Sequence, residues 1–370
     1  MNVGIQETDH FEGVYPVIRL FDNGKNRLFI FVNQEIHRRL LHLLGNRANN
    51  YRWIIQGENE PTWRFCRKIR STILDHKIGL LYLNTVSKHH IWYALFLPFD
   101  KIPQSVLTVH DVNCLFKEQP GPSPRSWIKY LGKKLLAARV KAFNTVSETV
   151  QPYLLSMVKK PQQVFTVPGA FFDPEFIKTT QATLLHIVVP GSIDPKRRDY
   201  YQVFQLLDQL AELPVKITLL GGGKGDYAAN IWRQCRSAQS GKLAWFEKDI
   251  VDQPEFDAIM NAAHFVWVPS VVETNICGSI PETYGITKSS GNIFDIIKHA
   301  KPFFFPGNLQ VPEILKASGI SYRAINDIAR AASYYAANPA AYAEISKAAE
   351  NASQHFTIEN LRLIHSPLFD

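Results

Sequence analysis

Two doubly wound, Rossmann-like α/β domains facing a cleft are what this sequence predicts. Three observations point there. The chain has 370 residues, more than one core ordinarily organises, and roughly 100 to 200 residues per domain gives two. Short β-rich runs alternate with helix-like stretches along it, and a parallel crossover needs about a dozen residues, usually as a helix. The rhythm breaks once, at residues 170–183, where Asp173-Pro174 and the polar run Lys178-Thr179-Thr180-Gln181 read as a linker. The expected organisation is residues 1–170 as one domain, 184–345 as a second, and 346–370 as a helical tail packing back on the first.

In the first domain the strand-like runs are Arg27–Val32, Tyr51–Gln56, Ile78–Leu83, Ser105–His110, Phe143–Val146 and Val164–Val167. In the second they are Leu184–Val189, Val215–Leu220, Lys242–Phe246, His264–Val268, Pro302–Phe305 and Ile320–Tyr322. The Ala-rich stretch 324–357 is punctuated by Pro339, which predicts two helices with a break between them. No repeat of fixed period and no low-complexity segment is present.

Composition narrows the function classes. A hydrophobic fraction of 46% with 12% aromatics excludes general disorder. Cys66, Cys114, Cys235 and Cys277 stand singly, which argues against a zinc ribbon, a redox dithiol or a disulfide framework and fits a reducing compartment. Residues 1–13 are polar and acidic, unlike a signal peptide, and no apolar run approaches the roughly 18 to 20 residues of a membrane helix. The net charge of +8 is concentrated in Arg64, Arg67, Lys68 and Arg70, and in Arg125, Lys129, Lys133, Lys134, Arg139 and Lys141. Such segments form either a solvated helix face or a surface for an anionic membrane or a phosphorylated substrate. No nucleic-acid-binding motif accompanies the charge, so no nucleic acid partner is expected.

The most informative stretch runs from Pro281 to Pro306. Glu282 stands before a Tyr284-Gly285 turn, and an amphipathic helix carrying Ile293, Phe294, Ile296 and Ile297 begins near Ser289. Its first turn offers unpaired N–H groups and the positive end of a dipole, and Ser289, Ser290 and Gly291 are small enough to admit a phosphate. An ordinary serine cap is the alternative. His110 ends the apolar strand V-L-T-V-H, and ligands of such sheets bind at strand carboxyl ends; Asp111 and Asn113 follow it. Gly221-Gly222-Gly223 closes another strand in a tight turn. No Asp-x-Asp and no clustered His, Cys or Asp set offers a metal site, so no metal and no cofactor is expected.

This stretch resembles the retaining GT-B glycosyltransferases of the GT4-like group, in which a Glu-Phe-Gly turn leads into the donor-binding helix and a later Lys-Pro opens the next strand. Other segments follow in the right order. Leu107–Phe116 is similar to the strand-end His-Asp segment of bacterial polysaccharide transferases, and Ala142–Glu148 to the strand ending in Val-Ser that closes the N-terminal domain. Val189–Tyr200 resembles the loop with Gly and Lys/Arg that opens the C-terminal domain, and Leu219–Asp226 the strand with a Gly-rich loop. Together they cover roughly residues 105 to 320.

The resemblance implies an N-terminal acceptor domain and a C-terminal nucleotide-sugar donor domain. Glu282, His110 and Asp111 would act on the donor sugar. Lys196 or Arg197 would hold the pyrophosphate, with Lys288 a further cation. Gly191, Ser192, Gly221, Gly222, Gly223, Tyr284, Gly285, Ser289 and Ser290 would line the donor. The implied activity is metal-independent transfer of a sugar from a nucleotide diphosphate to a glycan or lipid-linked acceptor in surface polysaccharide biosynthesis; separately, the basic first half would suit a lipid-pyrophosphate acceptor at the inner membrane surface, with the protein cytoplasmic and peripheral. A sugar-nucleotide epimerase and a silent sugar-nucleotide-binding subunit are the alternatives. Two departures stand out. The family's second acidic residue falls at Ser290, and after Arg27–Val32 comes N-Q-E-I-H-R-R without the glycine-rich first loop.

Overall fold

A computed structural model describes residues 1–159, 161–177, 184–238, 241–275 and 280–369. Residues 178–183 of the expected linker and Cys277 lie outside the described residues. The chain divides into two compact units: Met1–Ala170 with Ile286–Ser289 and Leu361–Asp370, and Phe171–Gly285 with Ser290–Asn360.

The first unit is built on seven parallel strands: β1 (Asn2–Glu7), β2 (Arg27–Asn33), β3 (Arg52–Gln56), β4 (Leu80–Leu83), β5 (Gln104–Val109), β6 (Ala142–Thr145) and β7 (Gln163–Phe165). Their order is β3-β2-β1-β4-β5-β6-β7, which reverses direction between β1 and β4. The sequence reading missed β1, although it lies at the centre. Its N-V-G-I-Q-E pattern lacks an apolar run because Gly4 leaves room for the Phe31 ring, where a Cβ would come within 2.9 Å. Its last residues, Gln6 and Glu7, are polar yet fully buried. At the other terminus Arg362 donates to the carbonyl oxygens of Arg19, Leu20 and Asp22 at 2.8 to 2.9 Å, and Phe369 packs edge-on against Phe21.

The second unit holds β8 (Leu185–Pro190), β9 (Val215–Leu220), β10 (Leu243–Trp245), β11 (Phe265–Trp267), β12 (Glu273–Thr274), β13 (Glu282–Thr283), β14 (Phe303–Pro306) and β15 (Gly319–Tyr322). Six of them form a parallel sheet in the order β10-β9-β8-β11-β14-β15, reversing between β8 and β11; β12 and β13 form a separate antiparallel pair. Every residue of β8 is buried, as expected of a central strand covered on both faces. The helices Ile325–Ala337 and Pro339–Gln354 follow, and Pro339 opens the second, where its missing N–H costs nothing.

Candidate functional site

Four segments of the second unit meet at the carboxyl ends of β8, β9 and β11, the reversal point where doubly wound sheets bind ligands. The first is the loop after β8. Gly191 has φ +102° and its N–H donates to Leu220 O at 2.8 Å, while Tyr200 Oη donates back to Gly191 O at 2.8 Å. The second is the turn after β9. A Cβ on Gly221 would overlap Gly191 O, and one on Gly222 would overlap Asp249 O. Ile193 N–H donates to Gly222 O at 2.8 Å, so the glycines let the two loops dock backbone to backbone.

The third segment carries the β12–β13 pair. Thr274 Oγ1 donates to Lys196 O at 2.5 Å, and Val271 N–H to Arg197 O at 3.0 Å. Glu282 on β13 is fully buried, and Tyr284 is 5% exposed within the apolar cluster of Val272, Ile293 and Val311. Gly285, at φ +82°, has no room for a Cβ beside the Gln310 backbone. The fourth is the helix Gly291–His299. Ser290 occupies its N-cap, but the side chain makes no capping bond and no acid stands in the first turn. Neither the cap residue nor the first turn therefore supplies a side chain that compensates the dipole's positive end.

Arg198 ties these segments together. Its guanidinium lies over Gly191, where a Cβ would overlap it, and donates to Ser192 O at 3.2 Å and to Asn292 Oδ1 at 2.8 Å. Asn292 in turn donates to Pro190 O at 2.9 Å, pinning the helix start to the end of β8. The residue is 9% exposed, and its Nε is buried with no hydrogen-bond partner among the described residues. A cation held so far from water has a strong demand for an anion. Half-buried Asp295 feels that cation, yet burial prevails and pushes its carboxyl up to about 7.

The first unit presents a second polar cluster at the carboxyl ends of β1, β4 and β5. Glu7 accepts from the N–H groups of Thr8 (2.7 Å) and Asp9 (2.6 Å) and from Asn84 Nδ2 (2.7 Å); burial nonetheless raises its carboxyl above the ordinary range. His110 Nε2 lies 3.1 Å from Thr85 Oγ1 and donates to Asn84 O at 3.3 Å. That bond selects the Nε2–H tautomer. Burial, helped by the charges of His10 and Lys288, brings the imidazole down to about 4. Asp111 forms an ion pair with Lys288, and Val112 N–H donates to Thr287 O at 3.0 Å. Among the described residues no group of three or more His, Cys, Asp and Glu converges as a metal site would require.

No family model matches the sequence, and no characterised protein matches it by sequence. Solved structures do match. HepE of Anabaena, crystallised with UDP, superposes with a TM-score of 0.67 at 15% identity, covering 99% of this chain and 98% of its own. Sucrose-phosphate synthase from Thermosynechococcus elongatus gives 0.67 at 13% identity over 100% and 98%. The fold is GT-B. A UDP-GlcNAc 2-epimerase from Neisseria meningitidis, bound to UDP-GlcNAc, also matches, at 0.58 and 11% identity over 100% and 99%. The narrower GT4-like assignment rests on the sequence motifs alone.

Within this GT-B chain the expected site residues gather in two sets. Gly191, Ser192, Gly221, Gly222 and Gly223 form the docked loops, with Ser290 at the adjoining helix start. Asp111 and Lys288, 177 positions apart, meet in the first unit beside His110. Ser289 Oγ is buried with no hydrogen-bond partner among the described residues. Lys196 and Arg197 are both exposed, and Arg197 pairs with Asp194 at 3.3 Å. Sequence reasoning passed over Arg198, Asn292, Glu7 and Asn84. The signal for Arg198 was the doublet itself, since adjacent residues of one turn point to different sides.

Proposed function

We propose that the chain is a glycosyltransferase that takes a sugar from a nucleoside diphosphate and places it on a glycan or lipid-linked saccharide. The observation that carries the reading is Arg198, a nine-tenths buried guanidinium whose Nε has no partner among the described residues, set against a glycine loop and a helix start whose Ser290 side chain makes no capping bond. As the bond between sugar and diphosphate breaks, negative charge grows on the departing phosphate. Fixed N–H donors and a preorganised cation stabilise that charge without reorganising. Lys196 and Arg197 add exposed positive charge at the rim. HepE, which shares the fold, was crystallised with UDP and with UDP and glucose, and this favours a uridine nucleotide.

Glu282, His110 and Asp111 are assigned to the donor sugar. His110, neutral at physiological pH, offers hydrogen bonds in place of charge, and Glu282 offers a carboxylate whose surroundings fix its position. Retention of configuration and a role in surface polysaccharide assembly complete the reading on the strength of the motifs between Leu107 and Pro306; independence of metal rests on the cations and the helix start, and a cytoplasmic setting on the singly spaced cysteines.

A thermal-stability screen against UDP, GDP, dTDP and CMP tests it. At a hundred times Kd a ligand specific for the folded state adds about 2.7 kcal/mol, a shift of several degrees. One nucleoside diphosphate should stand out over CMP, and Arg198→Ala should abolish its shift. A wild type that responds to none of the four refutes the reading. With a responsive nucleotide in hand, acceptor-dependent release of free nucleoside diphosphate marks transfer; interconversion of sugar nucleotides without acceptor would mark an epimerase instead.

A further inference from the structure

The helices Thr62–Asp75, His90–Phe96 and Pro124–Arg139 lie side by side on one face of the first sheet. Their inner sides, including Phe65, Ile69, Tyr93 and Leu136, share one core with Phe31 and Leu83 of the strands. The three are held as a single surface. Gly132 sits so close to the next helix that a Cβ would come within 2.6 Å of Ile91 N, Arg139 donates to Ala94 O, and Arg70 donates to Phe96 O at 3.2 Å.

What this surface shows to solvent is unusual. Trp127, Ile128 and Leu131, within little more than one turn, are 50%, 52% and 52% exposed, opposite the buried stripe of Gly132, Leu136 and Ala137. Leu95 on the middle helix is 52% exposed and Leu74 on the first is 43% exposed. Single apolar side chains at a surface need no explanation, whereas a set spread over one packed layer does.

Cations frame the set. The helix Pro124–Arg139 carries Arg125, Lys129, Lys133, Lys134 and Arg139 and no acid. Lys129 and the buried Lys133 share Glu118, while Arg125 stays exposed. On the first helix Arg64, Arg67, Lys68 and Arg70 are exposed; Arg64 stacks on Trp63 and Lys68 pairs with Glu60. Beside them opens a shallow depression of about 740 Å³ lined in part by Trp63, Arg64, Arg67 and Lys68.

We propose that this face docks on an anionic lipid bilayer, with Trp127, Ile128 and Leu131 entering the boundary between headgroups and acyl chains and the basic side chains meeting lipid phosphates. Charge complementarity selects this occupant. A second copy of the chain would set one basic face against another. Nucleic acid would use the cations but leave Ile128, Leu131, Leu95 and Leu74 with no base to stack upon. A bilayer satisfies both features at once, the apolar set by burial and the cations by the surface potential of the leaflet. The inference stands on the surface alone and does not require the donor site to work.

The test is flotation of the purified full chain with vesicles of phosphatidylcholine alone or mixed in equal parts with phosphatidylglycerol. Wild type should partition at least tenfold more strongly to the anionic vesicles, and added salt should weaken the binding. Replacing Trp127, Ile128 and Leu131 together by serine should lower partition at least tenfold. Arg67→Glu with Arg125→Glu should do the same. Because these side chains are exposed, both variants should keep the wild-type melting temperature and the wild-type response to nucleotides, which separates failure here from failure of the donor-site reading. Bromine-labelled lipid should quench wild-type fluorescence more than that of Trp127→Tyr. Equal flotation with both vesicle types, or flotation of the serine variant like wild type, would overturn the proposal. A wild type that ignores vesicles but sediments as a dimer dissolved by the serine changes would assign the face to a second copy and likewise overturn it.

Discussion

Burial separates three consecutive cations, and with it how much each charge is worth. Lys196 and Arg197 point into water, where an ion pair contributes at most about 1 kcal/mol, while Arg198 is shielded and bonded to the helix start at Asn292. Glu282 is the other residue whose surroundings define it, being wholly buried on β13. Glu282→Gln keeps its size and removes its charge; transfer should fall about a hundredfold or more while nucleotide binding persists, and steady-state kinetics beside calorimetry would show the split. Near-normal turnover would remove Glu282 from the reaction. His110 makes a pH prediction. Folded, it takes up a proton only near pH 4, whereas unfolded histidine does so near 6.5, so its contribution to stability is complete above about 6.5 and is lost as pH falls towards 4. His90 and His186 are brought down to about 4 as well, also first by burial. The raised Asp295 carboxyl acts in the opposite sense over much of this range, so the informative quantity is a difference. Melting curves of His110→Gln should lose less stability than wild type between pH 6.5 and 4, and parallel curves would contradict the assignment.

At the scale of elements, the site depends on loops that can touch backbone to backbone. Gly221 has no space for a Cβ beside Gly191 O, so Gly221→Ala must push the two loops apart. We expect a melting temperature lower by several degrees, from a strain of about 1 to 3 kcal/mol, together with weaker nucleotide binding. An unchanged melting temperature would show that the loops can shift. The same scale shows which elements the sequence made legible. The twelve apolar runs coincide with strands, most plainly at β4, β6 and β8, where every residue is buried and a parallel strand covered on both faces reads as a hydrophobic stretch. β1 escaped because its closing residues are polar and its centre holds a glycine, both for tertiary reasons: Gln6 donates to Tyr93 Oη at 3.1 Å, Glu7 gathers backbone N–H groups, and Gly4 yields space to Phe31. The β12–β13 pair is two residues long on each side and has no periodicity to read.

For the whole molecule, assigning phosphate charge to Arg198 and a helix start makes a global prediction. A chelator such as EDTA should leave sugar transfer intact, and activity that vanishes with chelator and returns with magnesium or manganese would contradict it. By itself the sequence determined two doubly wound sheets and the glycine loops, since these follow from local hydrophobic pattern and backbone freedom. It also singled out the stretch from Pro281 to Pro306. Tertiary structure alone decided which of three adjacent cations is buried, that Asp111 and Lys288 pair across 177 positions, and that Glu7 and Asn84 share a site with His110. Solvent exposure and contact between distant segments are properties of the folded packing, because neither the depth of a side chain nor its partner is encoded in the spacing of residues along one element.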